Sequence, residues 1–212
     1  MRPAALVTGA RRGIGRAACA ALAARGFDVV GADLEADGAA ETEAAVVAAG
    51  GAFRFLGADV AASTAHGALV EAAWSAFGGL ECLVNNAGVG ALARGDLLEV
   101  SEASYDRCMG VNARGAFFLA QAVARRMVAP GAPLRGPRAL LFVSSANAFM
   151  PAVERGEYCV SKAAASMVAK LFAVRLADAA IAVHEIRPGV IRTDMTAGVA
   201  GRYTARIEAG LS

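Results

Sequence analysis

The stretch EYCVSKAA, Glu157 to Ala164, sets a tyrosine, Tyr158, four positions before a lysine, Lys162. On a helix, residues i and i+4 share a face, so the phenol and the ammonium can stand side by side. A phenol with its ordinary pKa of about 10 is a poor base at neutral pH. A nearby ammonium favours the phenolate and lowers that value. A tyrosine tuned in this way can give a proton to a developing alkoxide or remove one from an alcohol. The plainer reading, a surface lysine lying over a half-buried tyrosine, fits the pair taken alone, so the rest of the chain has to decide.

A second group of residues points to an anion. TGARRGIGRAACAAL follows the first apolar run, with Gly9, Gly13 and Gly15 in the spacing G-x-x-x-G-x-G. Glycines let a strand-to-helix turn be tight and let backbone N–H groups approach a pyrophosphate, which the positive end of the next helix dipole favours. The second apolar run ends in Asp33, 18 residues past Gly15. That is the spacing at which a carboxylate accepts hydrogen bonds from the adenosine ribose of a dinucleotide. Asp33 also repels a 2′-phosphate, so NAD is favoured and NADP is not excluded, since Arg12 could pair with that phosphate. Asp59-Val60 follows the third run, where Asp59 either caps a turn or meets the adenine amino group. NNAG (Asn85–Gly88) follows the fourth, where the Asn86 amide can tie neighbouring strands together and Gly88 can leave room for the adenosine ribose.

These groups need elements to hold them. Short runs at Ala4–Thr8, Asp28–Asp33, Ala52–Leu56, Cys82–Asn85, Ala139–Ser144 and Ala182–Ile186 are predicted as buried strands. Ile14–Arg25, Gly38–Ala49, Thr64–Phe77, Ser104–Val128 and Tyr158–Ala177 are predicted as helices. Strand–helix alternation of this kind implies right-handed crossovers and a parallel sheet covered on both faces. The expected fold is α/β: a doubly wound, Rossmann-like, three-layer α/β/α single domain with six strands. APGAPLRGP (Ala129–Pro137) reads as a loop, and Trp74 as a helix residue packed on the sheet. The tail VIRTDMTAGVAGRYTARIEAGLS carries no further strand pattern, so a last helix and strand of such a sheet are expected to be absent.

Composition excludes several classes. The 212 residues suit one domain, and 57% hydrophobic with 24 glycines argues for a packed core with many turns. A formal charge of +2, from 21 basic and 19 acidic residues, is too balanced for a nucleic-acid partner, and the pairs Arg11-Arg12 and Arg125-Arg126 read as solvated helix ends or loops. Cys19, Cys82, Cys108 and Cys159 are scattered, without C-x-x-C spacing or a nearby histidine. They read as small buried residues in a reducing compartment, with no metal site and no role for His66 or His184. No leader-like or membrane-length apolar run is apparent, so a soluble cytoplasmic protein is expected.

In this order and spacing, TGARRGIG (Thr8–Gly15), NNAG (Asn85–Gly88), Asn112 in VNARG, Ser145 in FVSSA, YCVSK (Tyr158–Lys162) and PGVIRTDM (Pro188–Met195) resemble the short-chain dehydrogenase/reductase family. The segment around PGVIRTDMT looks most like the 3-oxoacyl-carrier-protein reductase group and its sugar and alcohol dehydrogenase relatives. The resemblance implies an NAD(P)-dependent interconversion of a ketone and a secondary alcohol on a small-molecule substrate. It implies a catalytic set of Asn112, Ser145, Tyr158 and Lys162. In that set Ser145, 13 residues before Tyr158, hydrogen-bonds the substrate oxygen, and Asn112 holds a water linking Lys162 to solvent. Lys162 also binds the nicotinamide ribose, and Thr193 the carboxamide. Gly9, Arg12, Gly13, Ile14, Gly15, Asp33, Asp59, Val60, Asn86, Ala87, Gly88, Tyr158, Lys162, Pro188, Gly189, Ile191 and Thr193 form the cofactor-binding set. The substrate pocket is shaped by Ala146–Glu157 and Met195–Ser212, with Phe149, Met150 and Val153 as apolar walls and Glu154, Arg155 and Glu157 as polar ones. Helices 104–128 and 158–177, with Phe117, Phe118, Met167 and Phe172, are expected to pair copies into a homodimer or homotetramer. The alternative is a catalytically idle dinucleotide-binding sensor or scaffold.

Overall fold

A computed structural model describes residues 1–133 and 135–191. Six strands, β1 (Ala4–Thr8), β2 (Asp28–Asp33), β3 (Phe53–Gly57), β4 (Cys82–Asn85), β5 (Arg138–Val143) and β6 (Ile181–Ile186), form one sheet in the order β3-β2-β1-β4-β5-β6. Every pairing is parallel, with Leu6 opposite both Val30 and Leu83. The chain is therefore the Rossmann-like α/β domain its alternation implied.

The strand period of two sorts side chains between two layers. Ala5, Val7, Val29, Cys82 and Val84 face α1 (Gly13–Ala24) and α2 (Ala39–Ala48), where Cys19, Ala23 and Val46 complete one core. Their neighbours Leu6, Val30, Leu83, Leu140 and Phe142 face the opposite layer. That layer is built by α3 (His66–Phe77), α5 (Ala116–Met127) and α6 (Gly156–Leu176), which contribute Trp74, Leu119, Val123 and Phe172. Burial of Cys19 and Cys82 pushes both thiols up to about 12, so they behave as small apolar side chains.

Most element boundaries fall within a residue or two of expectation, but the helix expected over Ser104–Val128 is not continuous. It divides into α4 (Glu102–Cys108), a π-helical turn Met109–Gly115, and α5. The turn's sequence, MGVNARG, holds two glycines and an asparagine, all poor helix formers. Gly115 lies so close to the loop after β3 that a Cβ there would sit 2.4 Å from the Val60 carbonyl oxygen. Widening the helix at this point turns Asn112 inward, and it is 2% exposed. A solvent-facing asparagine is thereby excluded.

Candidate active site

Strand order reverses at β1, between β2 and β4, and ligands of open parallel sheets bind at the carboxyl ends of strands at such a switch point. The glycine-rich turn sits there. Gly9 and Gly13 have φ of +66° and +54°, the left-handed region that suits glycine. A Cβ on Gly15 would lie 1.9 Å from the Gly9 carbonyl oxygen, so only glycine lets α1 begin this close to β1. No side chain caps the N-terminus of α1, and its first turn carries no acid. The first-turn amides are therefore directed at the switch point with the dipole's positive end, which fits a pyrophosphate. Ile14 is half-buried in this turn.

At the end of β2, Asp33 accepts hydrogen bonds from the backbone N–H groups of Arg11 (3.2 Å) and Leu34 (2.9 Å). Its other neighbour is the Arg11 guanidinium, whose Nε is 3.5 Å away. Arg11 also pairs with Glu35 and Asp37. The cation beside Asp33 is thus Arg11, while Arg12 is exposed, and the Arg11-Arg12 pair is not a simple solvated loop. Asp59 accepts from Ala61 N at 2.8 Å, the turn-capping geometry. The carbonyl of Val60 is held at 2.9 Å by the buried ring of His66, which gives that histidine a structural place.

The NNAG turn is fixed to β1. Asn86 Nδ2 donates to the carbonyls of Thr8 (2.9 Å) and Gly9 (3.1 Å), as its amide suggested. The Thr8 hydroxyl, which the sequence reading passed over, accepts from both Asn86 N and Ala87 N. Gly88 packs against the catalytic-set side chains. The space a side chain there would take is occupied by Asn112 Oδ1 and Lys162 Nζ, each 3.2 Å from the Cβ position. Gly88 therefore makes room for the amine. The Asn112 side chain is committed within the protein. It exchanges two hydrogen bonds with the Val89 backbone (2.8 and 2.9 Å) and donates to Ser161 Oγ at 2.9 Å. Both its N–H bonds are spent, so its side chain pins the NNAG loop to α6.

Ser145 and Ser144 separate cleanly. The Ser144 hydroxyl donates to Glu185, while the Ser145 hydroxyl is a neighbour of Tyr158 that favours the ionised phenol. Lys162, 5% exposed, donates to the Val143 carbonyl at 3.0 Å and lies 5.8 Å from the Tyr158 ring centroid. Ser145, Tyr158 and Lys162 thus meet beside the end of β5, with Asn112 behind them. Burial lowers the Lys162 pKa to about 8. Tyr158 corrects an expectation: its pKa stands above the ordinary phenol value, not below it. Burial raises it, while the Ser145 hydroxyl and then the Arg155 guanidinium pull it back without cancelling the rise. In the chain alone, desolvation outweighs the Ser145 hydroxyl and the Arg155 guanidinium together.

Around this point the loop after β5 forms a rim. Phe149, Met150 and Val153 are exposed there, with the Arg187 guanidinium over the Phe149 ring. Glu157 is not a wall. It is 3% exposed and turned inward, accepting a 2.5 Å hydrogen bond from Ser104 Oγ. Glu154 pairs with Arg94 at 3.7 Å, joining this loop to the one after β4. Pro188 accepts from Ala146 N at 2.9 Å, which brings the segment carrying Gly189 and Ile191 against the Ser145 loop. Thr193 and Met195–Ser212 lie outside the described residues. Among the described residues no helix is long and apolar enough to cross a membrane.

Comparison with known proteins agrees with this geometry. The family model described as short chain dehydrogenase matches residues 3–203. A 2-dehydro-3-deoxy-D-gluconate 5-dehydrogenase from Dickeya dadantii is 35% identical over 91% of this chain and 73% of its own length. The crystal structure of a 3-oxoacyl-[acyl-carrier protein] reductase from Brucella melitensis in complex with NAD has a TM-score of 0.94 at 48% identity, covering 99% of this chain and 82% of that one. A candidate 2-deoxy-D-gluconate 3-dehydrogenase from Agrobacterium tumefaciens, with bound NADP, has a TM-score of 0.84 at 32% identity, covering 98% and 78%. The chain belongs to the short-chain dehydrogenase family and is an NAD(P)-dependent oxidoreductase acting on CH–OH groups.

Proposed function

We propose that this oxidoreductase interconverts a ketone and a secondary alcohol with Tyr158 as general acid/base. The observation that carries the reading is the meeting of Ser145, Tyr158 and Lys162 beside the end of β5, in a sheet whose switch point at β1 carries the uncapped start of α1. A bound nicotinamide supplies or accepts the hydride. Tyr158 gives its phenolic proton to the oxygen of a ketone as hydride arrives at the carbon, or takes the hydroxyl proton of an alcohol as hydride leaves. Ser145 hydrogen-bonds the same oxygen and orients it toward the phenol. Lys162 binds the nicotinamide ribose and holds positive charge near the phenol. Asn112 is a positioning residue that keeps the Val89 loop and α6 in register.

For the cofactor, Gly9, Arg12, Gly13, Ile14 and Gly15 cradle the pyrophosphate and Asp33 takes the adenosine ribose. Asp59 and Val60 border the adenine, and Asn86, Ala87 and Gly88 form the floor. Pro188, Gly189, Ile191 and Thr193 border the nicotinamide. NAD is preferred over NADP, because the Arg11 guanidinium is already shared among Asp33, Glu35 and Asp37. A 3-oxoacyl thioester is a second reading of the substrate, favoured by the named reductase at 48% identity.

Copies pair through α6 and α5. Phe117 and Phe172 are taken by the chain's own core, where their rings meet edge-on at 5.5 Å. Val160, Met167, Leu171 and Val174 on α6, with Phe118 on α5, are exposed and supply the apolar contact. The decisive experiment follows nicotinamide absorbance in the wild-type protein and in Tyr158→Phe. Near-normal turnover in the variant would overturn the mechanism.

A further inference from the structure

Arg155 closes a short 3-10 turn, Val153–Arg155, directly before Gly156 opens α6. Its guanidinium carbon lies 5.7 Å from the centroid of the Tyr158 ring, one helical turn ahead of the phenol. Its Nε is buried and has no hydrogen-bond partner among the described residues. The other arginines near this rim are neutralised: Arg94 by Glu154, and Arg187 by Glu185 at 2.7 Å. Among the described residues no carboxylate pairs with Arg155.

Its position is fixed from both sides. Gly95 N donates to the Glu154 carbonyl at 3.2 Å, and Arg94 holds the Glu154 carboxylate. Leu97 covers Gly156 so closely that a Cβ there would lie 2.3 Å from its Cδ1. A guanidinium carried on backbone this constrained loses part of its hydration and recovers only a ring contact in exchange. An always-charged fork that stands beside the Tyr158 ring without a carboxylate partner among the described residues is completed by an oxyanion, which it can take through two parallel bonds.

We infer that Arg155 is a specificity-determining residue that receives a carboxylate or phosphate carried by the substrate within a few bonds of the carbon that exchanges hydride. The substrate class is then a hydroxy acid and its keto acid, or a phosphorylated polyol, in preference to a neutral alcohol or an acyl thioester. The inference rests on the ketone–alcohol reading of the same cleft. The positive field of Arg155, which already opposes the rise in the Tyr158 pKa, is shared with the substrate anion when one is bound.

The test compares substrates of one skeleton that differ in charge: 3-hydroxybutyrate with its methyl ester, and glycerol 3-phosphate with glycerol. Each is assayed with NAD on the wild-type enzyme, Arg155→Gln and Arg155→Lys. The acid is expected to be used with kcat/KM about 10- to 100-fold above its neutral twin, and Arg155→Gln to erase the difference through KM. Arg155→Lys should retain part of it and serves if the glutamine variant folds poorly. Preference for the phosphate pair over the carboxylate pair would identify the anion as phosphate. Equal use of the acid and its neutral twin, or an equal loss on both in Arg155→Gln, would overturn the inference and leave Arg155 only a support for the tyrosine ring. Binding is read separately, by the displacement in melting temperature that butyrate, but not butyramide, produces in the NADH complex. If no pair turns over, these compounds are not substrates, and the ketone–alcohol reading of the cleft is judged by the Tyr158→Phe comparison instead. The butyrate titration then still decides for Arg155, whose role falls if butyrate binds wild type and Arg155→Gln alike.

Discussion

The Nζ of Lys162 lies 5.8 Å from the centroid of the Tyr158 ring while donating to the Val143 carbonyl at 3.0 Å. One strand end thus fixes the amine, and one helical turn fixes the phenol relative to it. The amine is nearly free of solvent contact, and burial lowers its pKa from 10.5 to about 8. Because the folded value lies below the unfolded one, the unfolded chain binds more protons between these limits, and stability rises with pH across that window. The penalty is fully present below pH 8. Lys162→Met is therefore expected to melt higher than wild type at pH 7 without cofactor, by up to roughly 3 kcal/mol, and to lose this advantage by pH 10.5. Thermal melts at the two pH values check it. A variant less stable than wild type at pH 7 would contradict it.

Tyr158→Phe keeps the ring, and with it the contacts to Arg155 and Lys162, but removes the proton donor. Turnover should fall by about 10²- to 10⁴-fold, while NADH binding changes little. Stopped assays with fluorescence titration of NADH separate the two effects.

Asp33→Asn removes the carboxylate but keeps its size, leaving Arg11 facing Glu35 and Asp37. The ratio of NADPH to NADH affinity should rise, by about tenfold for each 1.4 kcal/mol of repulsion relieved. Separate titrations of the two nucleotides measure it, and tighter NADPH binding by the wild type would already refute the preference.

Gly15→Ala sets a methyl 1.9 Å from a backbone oxygen that has no room to retreat. The start of α1 has to move, costing about 1–3 kcal/mol and displacing the first-turn amides proposed to hold the pyrophosphate. A lower melting temperature together with NADH binding weakened at least tenfold is expected. Wild-type affinity would show that those amides do not hold the phosphates.

Ser104 accepts from Leu92 N at 3.0 Å and donates to Glu157, so it ties the loop after β4 to the first turn of α6. Ser104→Ala leaves the inward-facing Glu157 with neither oxygen paired, at a cost of about 1–3 kcal/mol. Chemical denaturation should register the loss, and adding Glu157→Gln to Ser104→Ala should recover part of it.

What the sequence determined by itself was local and periodic. Alternation between strand and helix periods was enough for six strands and a doubly wound sheet. The glycine spacing before α1, the acid at the end of β2 and the Tyr158–Lys162 pair were legible because each depends on neighbours a few residues away. Contacts between distant segments were left to the tertiary structure. Ser104 and Glu157 meet across 53 positions. Gly88 yields space to an amine 74 residues further on. The arginine beside Asp33 proved to be Arg11, because the turn after β1 folds one of two adjacent side chains back toward β2. The Tyr158 pKa was the plainest case. Sequence spacing put a cation beside it, which argues for a lowered value. Only the packed fold showed how much water the phenol had lost, and desolvation of the charged form outweighs the attraction of its neighbours.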